Sequence, residues 1–566
     1  MRHRDPQEPA ASSETRHRSK RNHRCNMTPQ NSPVRITFPT GPGSTDWPLS
    51  TLPALCAQAA AQYGAQIYIE DGETRISYAA FNALRRQVAK ALLAAGITHG
   101  DRVMIWAPNS WHWIAAAMGA ATIGAVMVPV STRFRGGEVA DLVERSGARL
   151  IVSVGDFLGV HYPSMLGPEV RAQLSRVVVI GDARGDDCPW DSFLSMGDSI
   201  ADADLDAAEA GVGPQDLCDM LFTSGTTGYP KGVEYAHHQC LLVVRTWAQQ
   251  VGLRHGDRVL VISPFFHAFG YRAGAIVTLM MGAVLIPHQT FDAEQVLKRV
   301  QEDRISVIPG PPALFQSMLQ HPDLAAIDTS SLRLGVTGGS VVPAVLIRRM
   351  REELGFKGIC NGYGLTECGG FGAMCDAQDP DEVIANTSGK PGPGVEIRIA
   401  AKDGTAQPQG QSGEVWIRGF LVMKGYFNDL EATAKTIDPA GWLHTGDVGY
   451  FDENGNLRIE DRMKDMYICG GFNCYPAEIE RYMSRHPAVG HIAVIGVPEQ
   501  RLGEVGKAFI VLRPGTSATE AELIAWAREH IANYKTPRSI TFLPAMPVSP
   551  QGKVMKDKLR EMALGA

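Results

Sequence analysis

Short apolar runs that alternate with amphipathic stretches constrain the fold of this chain more than any other feature. The run "DRVMIWAPN" follows a segment with helical periodicity, "AAFNALRRQVAKALLAAG", and similar runs recur as "ARLIVSVG", "SRVVVIG", "DRVLVISP", "GAVLIP", "ISVIPG" and "LRLGVTGG". Runs of this length, bounded by glycine or proline, are typical of buried strands. Helices between buried strands predict an α/β sheet architecture across roughly residues 50–455.

Two segments of this region have a local interpretation. The stretch "QIYIEDGETRISY" predicts a hairpin with Asp71 and Gly72 at its turn. The longest uncharged run, from Ile114 to Val130, is shorter than the ~20 residues that a membrane span requires, and it contains glycine and proline. We therefore predict a buried helix that leads into a strand, and no integral membrane segment.

The C-terminal part of the chain has a different pattern. The segments "YPAEIERYMSRHP", "HIAVIGVP", "KAFIVLRP", "TEAELIAWAREHIANY" and "SITFLP" predict a helix, two strands, a helix and a strand. A chain of 566 residues is also too long for one core, since single cores stop growing at about 250–300 residues. We predict a large α/β domain over residues 41–460, a hinge at 461–464 and a small α+β domain over 465–566.

Composition excludes several classes of function. A net charge of −6 and an isoelectric point near 6.3 give no basic field for nucleic acid. The ten cysteines include no Cys-x-x-Cys pair and no zinc spacing, which indicates reduced thiols in a cytoplasmic protein without a structural metal. Residues 1–40 are polar and basic, which predicts a disordered tail or an upstream start with Met27 as the working one.

The stretch "LFTSGTTGYPKG", residues 221–232, has the composition of a phosphate-binding loop. Glycines let backbone N–H groups converge on an anion, while hydroxyls and a lysine add donors and charge. The residues concerned are Thr223, Ser224, Gly225, Thr226, Thr227, Gly228 and Lys231. The spacing does not match the Walker pattern, which argues against a GTPase or an ordinary P-loop kinase. Taken alone, the stretch is also compatible with a plain turn.

Three more motifs follow in order: "NGYGLTE" at 361–367, "GWLHTGDVGYFDENGNLRIEDRMKD" at 441–465 and "SPQGKVMK" at 549–556. Together with the loop they resemble the adenylate-forming superfamily, which comprises acyl-CoA synthetases, beetle luciferases and nonribosomal-peptide adenylation domains. The resemblance spans residues 45–560. It implies an α/β N-terminal domain, a small C-terminal domain that swings about a hinge, and ATP, Mg²⁺ and coenzyme A as ligands.

The resemblance also implies roles for individual residues. Lys553 matches the lysine that bridges the substrate carboxylate and the α-phosphate, Thr366 the residue that bonds that phosphate, and Glu367 the Mg²⁺ ligand. Asp447 matches the carboxylate that takes the ribose hydroxyls, with Arg462 as its basic partner. The expected adenine wall is Gly338, Gly339, Ser340 and Tyr363, and Gly364 is a further cofactor-binding residue. Lys464 matches the hinge, and Gly470 and Gly471 match the pantetheine tunnel.

The acid is the least determined substrate. By resemblance, "SPFFHAFGYRAG" at 263–274 forms one wall of the acyl pocket, with His267 and Phe269 facing the substrate beside Gly339 and Gly364. No aspartate occurs from Val261 to Thr290, which disfavours an amino acid. Gly364 stands where acetate-activating relatives have a tryptophan, and it is expected to leave room for a larger acid.

A narrower resemblance rests on "PFFHAFGYRAG", "LIPHQTFD", "IPGPPALFQSML" and "RMKDMYICGGFN". These segments are similar to bacterial ligases for the indane-dione propanoate left after degradation of steroid rings A and B. A medium- or long-chain fatty acid, transfer to a carrier protein instead of coenzyme A, and a non-catalytic nucleotide-binding regulator stay open as alternatives. No sequence pattern specifies the oligomeric state, and a homodimer stays open.

Overall fold

A computed structural model gives the structure of the protein. It describes residues 50–223, 230–338, 342–462, 465–469, 472–500, 502–531, 533–549 and 553–565.

Two large sheets dominate the part of the chain before residue 390. The first has nine described strands, in the spatial order Lys390–Pro391, Ala373–Met374, Gly358–Tyr363, Leu334–Gly338, Val307–Pro309, Arg258–Val261, Val284–Pro287, Ile67–Asp71 and Thr74–Ser77. The second has eight: Gly425–Tyr426, Lys231–Ala236, Leu217–Thr223, Val126–Pro129, Arg102–Trp106, Ala148–Val154, Arg176–Ile180 and Cys188–Pro189. Both are mainly parallel at their centres.

Helices connect and cover these strands. The α-helices before residue 390 are Leu52–Tyr63, Tyr78–Ala94, Trp111–Thr122, Gly136–Ser146, Pro168–Gln173, Trp190–Met196, Asp202–Ala210, His237–Val251, Ala268–Gly270, Val277–Met281, Ala293–Glu302, Pro312–Leu319, Ala344–Glu352 and Asp381–Asn386. Short 3₁₀ turns occupy Pro163–Met165, Gly197–Ser199, Leu324–Ala326 and Thr366–Cys368, and Tyr271–Ile276 is a π-helix.

Two smaller sheets follow. The strands Val395–Ala400, Gly413–Gly419, Leu443–Phe451 and Leu457–Arg462 form an antiparallel sheet, with the helix Leu430–Thr436 inserted. In the C-terminal sheet, Phe472–Cys474, Tyr467–Cys469, Gly503–Leu512 and Val489–Glu499 are neighbours and Ser539–Phe542 joins Gly503–Leu512 in parallel. The helices here are Pro476–Met483, Glu520–His530 and Lys556–Leu564. A separate ribbon pairs Asp156–Phe157 with Val160–His161.

Local signals explain where elements begin. Ser77 and Ser110 cap the helices that start at Tyr78 and Trp111, because each hydroxyl accepts a hydrogen bond from a backbone N–H of the first turn. Gly72 has a left-handed φ of 59°, which suits the hairpin turn between Asp71 and its register partner Thr74. Every strand and helix named from the sequence is present, including the helix and strand within 114–130.

One prediction of extent is wrong. The alternation of helices and strands does not continue to residue 455, since the chain from Val395 onward forms the antiparallel sheet. Its strands mix buried with half-buried residues, for example in Gly413–Gly419, as expected of a sheet with one face turned from the core. None of the described helices has the length and apolarity to cross a bilayer. The nine described cysteines are free and buried.

Candidate active site

The ends of two parallel strands form one side of the site. Leu334–Gly338 and Gly358–Tyr363 run side by side, with Gly338 opposite Gly362. A Cβ atom on Gly338 would lie 2.5 Å from the carbonyl oxygen of Gly362, so only glycine permits this approach. Tyr363 therefore stands beside Gly338 at the carboxyl edge of the sheet, where ligands bind in open α/β sheets.

Tyr363 and Asp447 form a hydrogen-bonded pair across two sheets. The Tyr363 hydroxyl donates to Asp447 Oδ2 at 2.5 Å. Burial raises the pKa of Tyr363, and the Asp447 carboxylate raises it further, so the phenol keeps its proton and remains a donor. Asp447 is only 4% exposed, and its register partner in the next strand is Arg462. The predicted adenine-wall tyrosine and ribose carboxylate are thus brought together.

Glu367 is held by a residue that the sequence analysis did not single out. The Tyr426 hydroxyl donates to Glu367 Oε1 at 3.0 Å, and the Glu367 carbonyl oxygen accepts from Met423 N–H at 2.9 Å. The ammonium group of Lys231 lies 4.8 Å from the centre of the Tyr426 ring. Tyr426 thereby connects the predicted metal ligand to the predicted phosphate-binding lysine. In the sequence, Tyr426 could have been noticed only as part of the glycine-tyrosine pair in "MKGYFND".

Lys231 and Thr223 face each other at the open end of an antiparallel pair of strands. The loop between them contains the predicted donors Ser224, Gly225, Thr226, Thr227 and Gly228, which lie outside the described residues, as do Gly339, Ser340, Lys464, Gly470 and Gly471. Thr366 begins the 3₁₀ turn Thr366–Cys368 that carries Glu367.

His267 and Lys553 belong to one electrostatic environment. Burial, together with the positive charges of Lys553 and Arg272, lowers the pKa of His267 to about 4. His267 Nδ1 accepts a hydrogen bond from Phe269 N–H at 3.3 Å, which leaves the proton of the neutral ring on Nε2. Lys553 itself is exposed and its N–H donates to Ser549 Oγ at 3.2 Å. The positive charge of the C-terminal loop therefore acts on the predicted acyl wall.

A small cavity, with about 10 Å³ open to a water-sized group, lies behind this wall. Its lining is apolar except for one guanidinium, and consists of Val243, Val244, Trp247, Ala268, Phe269, Arg272, Ala273, Gly369, Gly370 and Phe371. Of the predicted acyl-wall residues Phe269 lines this cavity, whereas His267 and Gly364 are not among the lining residues. A more open depression of about 200 Å³ near His99, Arg102 and Asp216 contains none of the predicted site residues.

Gly364 has a packing reason to be glycine. A Cβ atom there would lie 2.4 Å from the carbonyl carbon of Gly370 and 2.5 Å from Phe371 N. The space beside Gly364 is therefore filled by backbone, and the glycine does not by itself open the pocket in the way the sequence suggested. Its contribution to the pocket stays a prediction, since the same backbone at 370–371 lines the cavity.

Asn109 fixes the position of the acyl wall. Its side chain is 3% exposed and donates to the carbonyl oxygens of Val261 and Ser263 at 3.1 and 3.0 Å. Its Oδ1 accepts from Phe265 N–H at 2.7 Å. Because these three bonds satisfy a buried amide and hold the backbone at both ends of 261–265, they set the start of the segment that carries His267 and Phe269.

Similarity to known proteins agrees with this geometry. Residues 56–427 match the family model of the AMP-binding enzyme, and residues 478–553 match that of the AMP-binding enzyme C-terminal domain. A crystal structure of the anthranilate CoA ligase AuaEII in complex with anthranoyl-AMP superimposes with a TM-score of 0.82, at 26% identity, over 92% of this chain and 99% of that one.

Two similar proteins carry the same name, 3-[(3aS,4S,7aS)-7a-methyl-1,5-dioxo-octahydro-1H-inden-4-yl]propanoyl:CoA ligase. The one from Mycobacterium tuberculosis is 48% identical over 84% of this chain and 91% of its own length. The one from Rhodococcus jostii is 42% identical over 90% of this chain and 98% of its own length.

Proposed function

The chain belongs to the AMP-binding enzyme family and is an AMP-forming acyl-CoA synthetase, and from this premise we propose that its acid is a bulky bicyclic propanoate derived from a steroid. In the first half-reaction the carboxylate oxygen attacks the α-phosphate of ATP and pyrophosphate leaves. In the second, the thiol of coenzyme A attacks the acyl carbonyl, loses its proton, and AMP leaves with the bonding electron pair.

The first half-reaction brings two anions together, so the site requires cations that offset their repulsion. A carboxylate and a phosphate at 4 Å repel by about 1 kcal/mol in water and about 4 kcal/mol in a partly dry site. Lys553 is the group assigned to this repulsion, because its charge already acts on His267 beside the acyl cavity. This electrostatic link between the C-terminal loop and the acyl wall is the observation that supports the assignment of Lys553.

The nucleotide is assigned to the polar half of the site. Asp447 would accept from the ribose hydroxyls while Tyr363 orients it, and Lys231 and the loop before it would hold the β- and γ-phosphates that leave as pyrophosphate. Glu367 offers carboxylate oxygens, which fit a hard divalent cation. When bound, Mg²⁺ would screen the phosphate charge, and Tyr426 would keep the Glu367 carboxylate in place for it.

The second half-reaction is assigned to a rotated small domain. Lys464 would be the hinge, and Gly470 and Gly471 would line the entry of the pantetheine arm. Lys553 and this glycine segment both lie on the same side of the hinge in the chain, so a rotation that withdraws the first can present the second.

The choice of acid rests on the cavity and on the names of the two similar ligases. Both names specify a propanoyl group on a two-ring dione. The described cavity is mostly apolar and has aromatic residues such as Trp247 and Phe371 in its wall, which suits the edge of a compact ring system. Only about 10 Å³ of it is open to a water-sized group, so it would take one small substituent of the acyl group rather than the rings.

Carboxylate-dependent release of pyrophosphate from ATP tests the proposal. The acids would be the bicyclic dione propanoate, medium- and long-chain fatty acids and aromatic acids, each with coenzyme A or with a phosphopantetheinylated carrier protein. We expect the dione propanoate to give the highest kcat/KM, with AMP and the acyl-CoA as products. A preference for a fatty acid would contradict the substrate, a preference for the carrier protein would contradict the acceptor, and no release with any acid would favour a non-catalytic regulator.

A further inference from the structure

Arg272 is a buried cation whose hydrogen bonding is incomplete. The residue is 2% exposed and lies in the π-helix Tyr271–Ile276, an irregularity that is common at functional sites. Its Nη2 donates to Asp219 Oδ1 at 2.6 Å. Its Nε and Nη1 are buried without a hydrogen-bond partner, and among the described arginines no other has two such nitrogens.

A second buried arginine shows what a purely structural role looks like here. Arg85 is 1% exposed, and all three of its guanidinium nitrogens have partners: Asn82 at 2.8 Å, Thr122 at 2.9 Å and Glu209 at 2.8 Å. A buried donor without a partner costs about 1–3 kcal/mol. Arg272 therefore carries a cost that Arg85 avoids, unless a ligand supplies the missing acceptor.

The ligand in question is the acyl group, because Arg272 lines the acyl cavity. The remaining described wall consists of Val243, Val244, Trp247, Ala268, Phe269, Ala273, Gly369, Gly370 and Phe371. The Cys218 thiol donates to Asp219 Oδ2 at 3.3 Å, and the Cys240 thiol lies within hydrogen-bonding reach of Arg272, but thiols are weak acceptors. An acyl group that brings an oxygen into this apolar space is the partner that fits the donors.

Asp219 determines whether Arg272 favours a charged or an uncharged acceptor oxygen. Asp219 is fully buried and its carboxylate is paired with Arg272. Burial opposes the charge on Arg272, but Asp219 raises the pKa of the guanidinium overall, so the pair is ionised and neutral in sum. The face of the guanidinium is stacked on Tyr235 at 4.2 Å. A neutral pair offers donors without a net charge, which favours a carbonyl oxygen over a second carboxylate.

We propose that Arg272 determines specificity by donating a hydrogen bond to a ketone oxygen of the acyl group. The proposal rests on the function proposed above and deepens it: the enzyme selects acids that carry an uncharged carbonyl besides the reacting carboxylate. Arg272 is a binding residue in this account, and the bonds that form and break lie at the carboxylate and the α-phosphate.

The test compares the dione propanoate with the same acid in which both ketones are replaced by CH₂ groups. The variant is Arg272→Met combined with Asp219→Asn, which removes both charges together. We expect wild-type kcat/KM to favour the dione by about 10- to 100-fold, as for loss of a hydrogen bond to a charged donor. In the variant this preference, measured as the ratio of the two kcat/KM values, should fall towards unity.

Two further variants keep the test decisive. Arg85→Met with Glu209→Gln removes another ion pair of a buried arginine, away from the cavity, and the preference for the dione should survive there. Arg272→Lys keeps a cation for Asp219 and should still lose the preference if the double variant fails to fold. Equal use of both acids by wild type, or an unchanged preference in the folded Arg272 variants, would overturn the inference. If wild type activates neither acid, the proposed function itself is wrong.

Discussion

Polar side chains on the nucleotide side of the site are paired with one another, whereas the charged residue of the acyl cavity keeps donors unpaired. Tyr363 is bonded to Asp447 and Tyr426 to Glu367, while Arg272 keeps two buried nitrogens without a partner. The paired groups are already oriented for ATP, which is the same ligand in every turnover. The unpaired donors are stabilised only by a particular acyl group, so the second region is where we expect selectivity to arise.

The largest expected effect separates the two half-reactions. Lys553→Ala should reduce pyrophosphate release by about 10²–10³-fold, comparable to the loss of one group that stabilises a developing charge. Thioester formation from supplied acyl-adenylate and coenzyme A should stay largely intact, because Lys553 is not assigned to that step. Lys558→Ala, at another exposed lysine of the same segment, is the matched control and should change neither rate. An equal loss of both half-reactions in a folded Lys553 variant would contradict this division.

The next effect concerns the pairing on the nucleotide side. Tyr426→Phe removes the hydroxyl that holds Glu367. Groups that orient a metal ligand typically contribute about 10- to 100-fold to metal affinity. The Mg²⁺ concentration for half-maximal pyrophosphate release should therefore rise by about that factor. Tyr482→Phe changes a tyrosine that packs on Arg485 in the small domain and should leave it unchanged. An unaltered Mg²⁺ requirement in Tyr426→Phe would remove Glu367 from its assigned role.

A smaller change is expected from Tyr363→Phe. The variant removes the donor to Asp447, and a hydrogen bond to a charged group is worth about 1.5–3 kcal/mol. The KM for ATP should rise by at least about tenfold, with the KM for the acid little affected, because the pair faces the nucleotide half. A rise in the KM for the acid alone would show that the boundary between the two regions is misplaced.

The smallest effect is on the pH dependence of stability. The folded pKa of His267 is about 4, below the usual value of 6.5, so the unfolded chain binds more protons between these values. Stability from this group is therefore full above pH 6.5 and declines as the pH falls towards 4. In denaturant titrations His267→Gln should reduce that decline, while His255→Gln, an exposed control, should not. An equal decline in both variants would show that His267 is not held neutral by the fold.

The same contrast explains what the sequence could predict. The nucleotide side depends on short motifs, so Tyr363, Glu367 and Asp447 could be named before the structure, and periodicity located the strands that carry them. Tyr426 was missed because it reaches Glu367 from a two-residue strand 59 positions further along the chain. The acyl cavity combines residues from 243–247, 268–273 and 369–371. No local pattern brings these together, and the unpaired nitrogens of Arg272 are a property of three-dimensional packing.

Gly364 is a residue whose position was predicted by resemblance but whose surroundings were not. Its residue type matched an open pocket by resemblance, yet the structure fills the space beside it with the backbone of Gly370 and Phe371. Resemblance transfers the position of a residue more safely than the shape around it, because that shape depends on how neighbouring segments pack.

A competition experiment tests the division between a general nucleotide side and a selective acyl cavity most directly. The enzyme would receive ATP, Mg²⁺ and limiting coenzyme A with equal concentrations of the dione propanoate, its deoxo analogue and a medium- and a long-chain fatty acid, and the acyl-CoA products would be quantified by mass spectrometry. The ratio of products gives the ratio of kcat/KM values. We predict that the dione propanoyl-CoA dominates, followed by the deoxo product. Dominance of a fatty acyl-CoA, or an even mixture, would contradict the account.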